Sequence, residues 1–211
     1  MRRYLPLAIL LVLGILAGVV VRACASGSGD DGAAGAAPAA APSAAVSFAD
    51  CRALTTPPAE AAGGGGTAGA GGGLPDIVLP CFGGEELRLA DVRGPAVINL
   101  WGTWCEPCRE ELPAIKAVAQ QTEGLVHFLG VDTRDDQSHG QDMVTEFGLP
   151  YPNVYDRGER VRIALQQPGI PVTLFVDRSG SVAHLYNGAR LDEASLKALV
   201  TEHLGVAVPV G

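Results

Sequence analysis

The sequence predicts a single α/β domain carried on a low-complexity tether behind an apolar N-terminal segment. Three observations carry that prediction. The apolar run Ala96 to Trp101 leads through a short turn into a helix-patterned stretch, Glu106 to about Gln121, and then into a second apolar run, Val126 to Val131. A strand, helix, strand order of this kind implies parallel strands joined by a right-handed crossover. From Ala25 to Gly73 the chain is mostly Ala, Gly, Pro and Ser, and cannot bury enough apolar surface to offset the entropy of ordering it. Finally, 211 residues, with 28 glycines unevenly placed, allow one domain of ordinary size plus an appendage. Charge follows the same division. Residues 74–211 hold 19 acidic and 11 basic side chains and so carry the whole net charge of −8. An acidic domain argues against nucleic acid and against anionic lipid surfaces as partners.

In chain order, Met1-Arg2-Arg3 precedes Leu5 to Val21, 17 residues without a charge, and residues 1–24 read as a signal sequence or a membrane anchor. The two arginines stay inside, which places the domain on the extracytoplasmic side of the cell membrane. The run is at the short limit for a span, so a cleaved signal is the alternative. Cys24 adds a lipid-anchored alternative, from which Arg22 departs because a small uncharged residue is usual there. Residues 25–73 form the tether, with a typical span of about 40 Å for some fifty flexible residues. Cys51 interrupts it within Val46 to Leu54, its one stretch with large apolar side chains, and Cys81 opens the domain in Pro80-Cys-Phe-Gly-Gly84. In an exported chain these two left-over cysteines suggest a structural disulfide, a third redox thiol being the other reading.

Within residues 74–211, Ile77 to Leu79 and Leu87 to Leu89 read as short strands joined through Gly83-Gly84. Ala96 to Trp101 is a central strand on which Asn99 and Trp101 share one face and Ile98 and Leu100 the other, so Asn99 needs a polar partner. The helix from Glu106 has Leu112, Ile115, Val118 and Ala119 as its core stripe and a kink expected at Pro113. Val126 to Val131 is the next strand and Asp132 to Asp136 a polar loop. Gln137 to Phe147 is a helix stopped by Gly148, Pro150 to Asp156 a strand and Gly158 to Gln166 a short helix. Val172 to Val176, the turn Asp177 to Gly180 and Val182 to Tyr186 form a hairpin. Asp192 caps a last helix that Gly205 ends, with Leu191 and Leu196 as its staple. His184 and His203 belong to this scaffold.

The chemistry centres on Trp104-Cys105-Glu106-Pro107-Cys108 at the junction of strand and helix. The unpaired N–H groups and dipole of a helix N-terminus favour a thiolate on Cys105, the nucleophile, and Cys108 one turn further in can attack a mixed disulfide. Pro107 fits the first turn, where its missing N–H costs nothing. Half of a zinc knuckle has the same spacing, but no second pair stands nearby and the four histidines are scattered, so no metal site is expected. A copper carrier using the dithiol as soft ligands is the reading from a different class, and it lacks a third ligand. A peroxidase reading, prompted by Thr103 near Cys105, is disfavoured by so close a resolving cysteine.

The stretch from Val97 to Pro113, together with Gly169-Ile-Pro-Val-Thr-Leu-Phe-Val-Asp177, resembles the thioredoxin superfamily, and within it the membrane-tethered TlpA/ResA-like thiol-disulfide oxidoreductases. The likeness spans about Leu74 to Leu204. It implies a thioredoxin-like fold with an N-terminal β-hairpin and a central helical insertion at Gln137 to Phe147. It also implies that Pro171 is cis and packs over the dithiol, with Ile170 offering a strand-like edge and Trp104 flanking it as substrate-binding residues. Asn99 stands where thioredoxins have a buried proton-handling aspartate and cannot titrate. Glu111, three residues after Cys108, is at the spacing of a glutamate in the ResA-like members and is the candidate proton acceptor; the other reading is a solvated acidic turn with Glu106 and Glu110. Glu106, with Pro107 and Asn99, tunes the site, its charge raising the Cys105 pKa and favouring action as a reductant. The implied function is disulfide exchange with proteins, reducing apocytochrome c thiols for haem attachment with electrons from a membrane thiol carrier and no further cofactor. Disulfide donation to secreted proteins is the alternative.

Overall fold

The computed structural model describes residues 47–59 and 72–208. The expected membrane segment, Cys24 and tether residues 25–46 and 60–71 lie outside the described residues. A five-stranded sheet with strand order β5-β4-β3-β6-β7 forms the centre. It is built from β3 (Ala96–Trp101), β4 (His127–Thr133), β5 (Asn153–Asp156), β6 (Val172–Val176) and β7 (Val182–Tyr186). A separate antiparallel hairpin, β1 (Val78–Pro80) and β2 (Glu86–Arg88), precedes it. The helices are α1 (Glu106–Gln121), α2 (Gln137–Phe147), α3 (Arg160–Ala164) and α4 (Glu193–Leu204). β3, β4 and β5 run parallel, while β6 lies antiparallel to β3 and β7 antiparallel to β6. This is the thioredoxin-like architecture implied by the residues around the dithiol, with the hairpin in front and α2 between β4 and β5.

β3 is buried at every position, as the central strand of a sheet covered on both faces must be. Val97 and Trp101 join Phe128 and Phe175 beneath Leu112, Ile115 and Val118 of α1 and Leu196 and Val200 of α4. Ile98 and Leu100 join Leu129, Val131 and Leu174 on the other face, under Leu79 and Leu87 of the hairpin and Val161 of α3. Helix ends follow the expected chemistry. Asp192 accepts the Ser195 amide at 2.8 Å, and Gly148 and Gly205 end α2 and α4 with φ of 59° and 66°, a backbone that favours glycine. His184 and His203 stack on each other at 4.0 Å against Phe175, within the scaffold.

Several boundaries differ from the sequence reading for local reasons. Leu89 leaves β2 to begin a 3-10 turn, Leu89–Asp91, while its amide still bonds Ile77 O at 2.8 Å. β5 begins only after Pro150 and Pro152, which have no N–H for a ladder. α3 is reduced to five residues behind Glu159, whose φ of 54° interrupts any longer helix. β4 runs on to Thr133, so Asp132 and Thr133, expected in a polar loop, are buried strand residues.

Residues 47–59 pack onto this domain. Cys51 and Cys81 form a disulfide with Cα atoms 6.5 Å apart, and both are sealed from solvent. The Cys51 amide bonds Glu85 Oε1 at 2.6 Å, Leu54 is buried in the hairpin-side core, and the Arg93 amide bonds Leu54 O at 2.9 Å. The bridge closes a loop with a sequence separation of 30, a constraint worth about 3–4 kcal/mol on the entropy model. Replacing both Cys51 and Cys81 by Ala is expected to lower unfolding stability in urea by about that amount. An unchanged midpoint would mean the segment is held by packing alone.

Candidate active site

The turn Gly102 to Trp104 carries the chain from β3 into α1. Gly102 is required there, because a Cβ would meet Trp104 Nε1 at 2.7 Å and Thr133 O at 3.0 Å. Cys105 caps α1 from an extended backbone conformation, and its sulfur accepts the Cys108 amide at 3.3 Å. The two cysteines are joined as a disulfide with Cα atoms 5.3 Å apart and are 4% and 1% exposed. Glu106 and Pro107 form the exposed first turn, where the missing proline N–H leaves no gap in the helix. Once the bond opens, the same amide and the helix dipole stabilise negative charge on the Cys105 sulfur rather than on Cys108.

Across from the dithiol, the Ile170–Pro171 peptide is cis and the Ile170 carbonyl oxygen lies 3.8 Å from Cys105 Sγ. The half-buried Ile170 separates two recesses. One, of about 300 Å³, is lined by Pro107, Glu111, Ile170, Pro171, Asn187 and Arg190. The other, of about 240 Å³, is lined by Trp104, Arg134, Glu159, Arg162 and Ile170. Trp104, 49% exposed, is fixed rather than loose: its Nε1 donates to Thr133 O at 3.1 Å and the Arg134 guanidinium lies 4.4 Å from its ring. Of the sequence-derived set, Cys108 and Ile170 therefore meet the Cys105 sulfur, while Trp104 and Pro171 line the recesses on either side of Ile170.

Glu111 is not part of a solvated acidic turn. Glu106 and Glu110 are exposed, but Glu111 is 2% exposed, one turn beyond Cys108. Its Oε1 accepts the Leu191 amide at 2.9 Å and its Oε2 has no hydrogen-bond partner among the described residues. Burial pushes its carboxyl above the ordinary range, with the Leu191 amide and the Arg190 guanidinium offsetting part of that rise. Asn99 finds the partner it needed in the neighbouring strand, its Nδ2 donating to Thr173 Oγ1 at 3.1 Å.

The sequence reading missed an acidic pair on the other side of the active-site turn. Asp132, opposite Trp101 in the sheet, is fully buried, and neither of its oxygens meets a donor as a carboxylate. Burial first, then the charge and hydrogen bond of Asp135, push its carboxyl up to about 8. Asp135 Oδ2 in turn accepts the Thr103 amide at 2.6 Å. The available signal was Gly140 within an otherwise helical stretch: a Cβ there would strike Asp132 Oδ2. Helical glycine reports a close approach.

The Glu111 environment makes stability depend on pH in a defined direction. Its folded-state value lies above the ordinary 4.5, so its contribution is complete below about 4.5 and is lost as pH rises through the folded value. Glu111→Gln is expected to gain stability relative to wild type between acid and neutral pH in urea unfolding. A difference that does not vary with pH would show that Glu111 is solvated in the native protein.

The AhpC/TSA family matches residues 70–192. ResA, a thiol-disulfide oxidoreductase of Geobacillus thermodenitrificans, is 35% identical over 122 residues, which cover 56% of this chain and 70% of that protein. DsbE, a thiol:disulfide interchange protein of Pseudomonas fluorescens, is 34% identical over 139 residues, 61% of this chain and 76% of that protein. The crystal structure of a secreted Mycobacterium tuberculosis disulfide oxidoreductase homologous to DsbE superimposes with a TM-score of 0.55 at 25% identity, covering 60% of this chain and 96% of that one. With its dithiol at the head of α1 in a thioredoxin-like fold, the chain belongs to the AhpC/TSA family and is a thiol-disulfide oxidoreductase of the ResA and DsbE kind.

Proposed function

We propose that this oxidoreductase works outside the cytoplasm as a reductant of protein disulfides, with the paired cysteines of apocytochrome c as its substrate class. One observation carries the reading. The Cys105 sulfur sits at a helix N-terminus facing the Ile170 edge, and a buried carboxyl with one free oxygen, Glu111, lies one turn beyond Cys108. In the reduced protein the Cys105 thiolate attacks one sulfur of the substrate disulfide, and the other leaves as a thiolate that takes a proton. Cys108 then passes its proton to Glu111 and attacks the Cys105 sulfur. The second substrate thiolate departs and the Cys105–Cys108 disulfide remains. A membrane dithiol carrier returns two electrons and two protons. Trp104, Ile170 and Pro171 receive the substrate backbone, and Glu106 and Glu110 add negative charge that disfavours the thiolate and with it the oxidising direction.

The N-terminal reading supports this location. Arg2 and Arg3 before the apolar Leu5 to Val21 give the orientation of an anchor with the domain outside, and a sealed Cys51–Cys81 disulfide suits an oxidising compartment. The equilibrium potential of the Cys105 and Cys108 pair tests the direction. A value near the thioredoxin range, about −270 mV, is expected; one near about −120 mV would reassign the protein as a disulfide donor. Cys108→Ser is expected to accumulate a mixed disulfide through Cys105 with a reduction-sensitive substrate peptide, and failure to trap one in that variant would remove Cys105 as the attacking thiol.

A further inference from the structure

The two recesses beside Ile170 differ in charge. On the Pro107 side, the Arg190 guanidinium lies 3.6 Å from Glu110 and shares its recess with Glu111, so carboxyls of the protein already face it. On the Trp104 side two guanidiniums, Arg134 and Arg162, line the recess with one carboxylate, Glu159. That carboxylate is committed to Arg162. Its Oε2 accepts Arg162 Nε at 2.6 Å and pairs with Nη2, while Arg162 Nη1 donates to Gln167 O at 2.5 Å. Arg134 is left with an ion pair to Glu159 Oε1 at 3.5 Å, and no hydrogen bond to its guanidinium is found among the described residues. Its side chain is 61% exposed. In a domain with an excess of acidic side chains, this is a cation next to the reacting sulfur.

Arg134 is placed rather than loose. Its guanidinium carbon lies 4.4 Å from the centre of the Trp104 ring, and that ring is fixed by Nε1 on Thr133 O at 3.1 Å. A guanidinium held over an aromatic face keeps the N–H donors of its planar edge for an acceptor. The Arg134 backbone has φ 53°, and its amide donates to Asp156 O at 3.1 Å. Glycine would hold such a turn with less strain, so the guanidinium is what arginine adds at this position.

We propose that Arg134 is a specificity-determining residue that receives a carboxylate of the partner polypeptide, an Asp or Glu two residues from the cysteine that Cys105 attacks. A partner backbone lying extended along Ile170 turns alternate side chains to the same face, with a repeat of about 6–7 Å, so the residue two along from the attacked cysteine enters the recess beside it. On the Trp104 side that residue meets the open edge of Arg134. The inference rests on the reading of Cys105 as the attacking thiol and of Ile170 as the substrate edge. It does not depend on the direction of electron flow, because the same docking precedes exchange either way.

The test measures second-order exchange rates of the full-length protein with the symmetrical disulfide of a single-cysteine peptide carrying Asp or Lys two residues before or two after the cysteine. With reduced wild type, Asp at one of these positions is expected to react at least about threefold faster than Lys at low ionic strength, the ratio falling toward one in about 1 M salt. Arg134→Gln is expected to bring the two rates together at low salt, and Arg134→Lys to keep only part of the preference. Equal rates in wild type at both positions, a preference for Lys, or a ratio in Arg134→Gln equal to that of wild type overturns the proposal. Should Arg134→Gln fail to fold, Arg134→Lys decides, and a wild-type ratio in that variant overturns it. The reverse reaction, oxidised protein with the peptide thiols, is expected to show the same preference. A protein that exchanges only as a donor would therefore remove the reductant reading and leave this one standing, whereas reduction of the peptides without a charge preference removes this one alone.

Discussion

The antiparallel pairing of β3 with β6 is the constraint on which the site depends. Its register sets Ile98 opposite Leu174 and Leu100 opposite Val172. The C-terminal end of β3, from which the chain rises into the dithiol, therefore lies beside the N-terminal start of β6, immediately preceded by Ile170 and Pro171. The Cys105 cap and the Ile170 edge approach to 3.8 Å because two strands far apart in sequence are locked side by side within a fully buried ladder. A one-residue slip would turn Asn99 and Thr173 to the opposite face and break their mutual hydrogen bond, so the polar pair also specifies the register.

Around this rigid centre the protein concentrates buried acid. Glu111 lies on one side of the dithiol and Asp132 with Asp135 on the other, while Asn99, an amide where related folds keep an acid, lies in the strand between. Burial raises both Glu111 and Asp132, so each is more readily protonated than an exposed carboxyl would be. Such groups lower stability at neutral pH relative to apolar or amide replacements, and their persistence is intelligible as chemistry rather than packing. The two sides differ in kind. Glu111 lines one of the recesses beside Ile170 and has an oxygen without a hydrogen-bond partner among the described residues, whereas Asp132 is shut beneath α2, where Gly140 leaves room for it.

Much of this was legible in the sequence because it is local. The helix caps at Cys105 and Asp192, the stops at Gly148 and Gly205, and the alternation of Asn99 and Trp101 against Ile98 and Leu100 are set within a few residues, and the structure has them as read. The proximity of Cys105, Ile170 and Pro171 came from paired motifs resembling a known superfamily, since no local rule spans sixty-five residues. By sequence Asp132 reads as loop, because an aspartate followed by Thr, Arg and two further aspartates has the composition of one. Its burial is decided by β3 and β5, which extend the ladder to Trp101 on one side and Tyr155 on the other. Glu111 was ambiguous for the matching reason. Helical spacing puts it on the dithiol face, but only the packing of Leu191 against that face removes it from water.

The two disulfides show that burial alone does not decide which sulfur exchanges. All four cysteines are nearly inaccessible. Cys51 and Cys81 lie in the apolar core beneath the hairpin, where no hydrogen-bond donor to either sulfur is found among the described residues; Glu85 beside them is engaged with the Cys51 amide and would repel a departing thiolate. Cys105 has the Cys108 amide on its sulfur, a helix dipole behind it and a recess on either side of Ile170 by which a partner's backbone approaches. The energetic difference lies in the leaving group. Reduction of either bond must place charge on one sulfur, and only Cys105 sits where the fold has arranged to receive it.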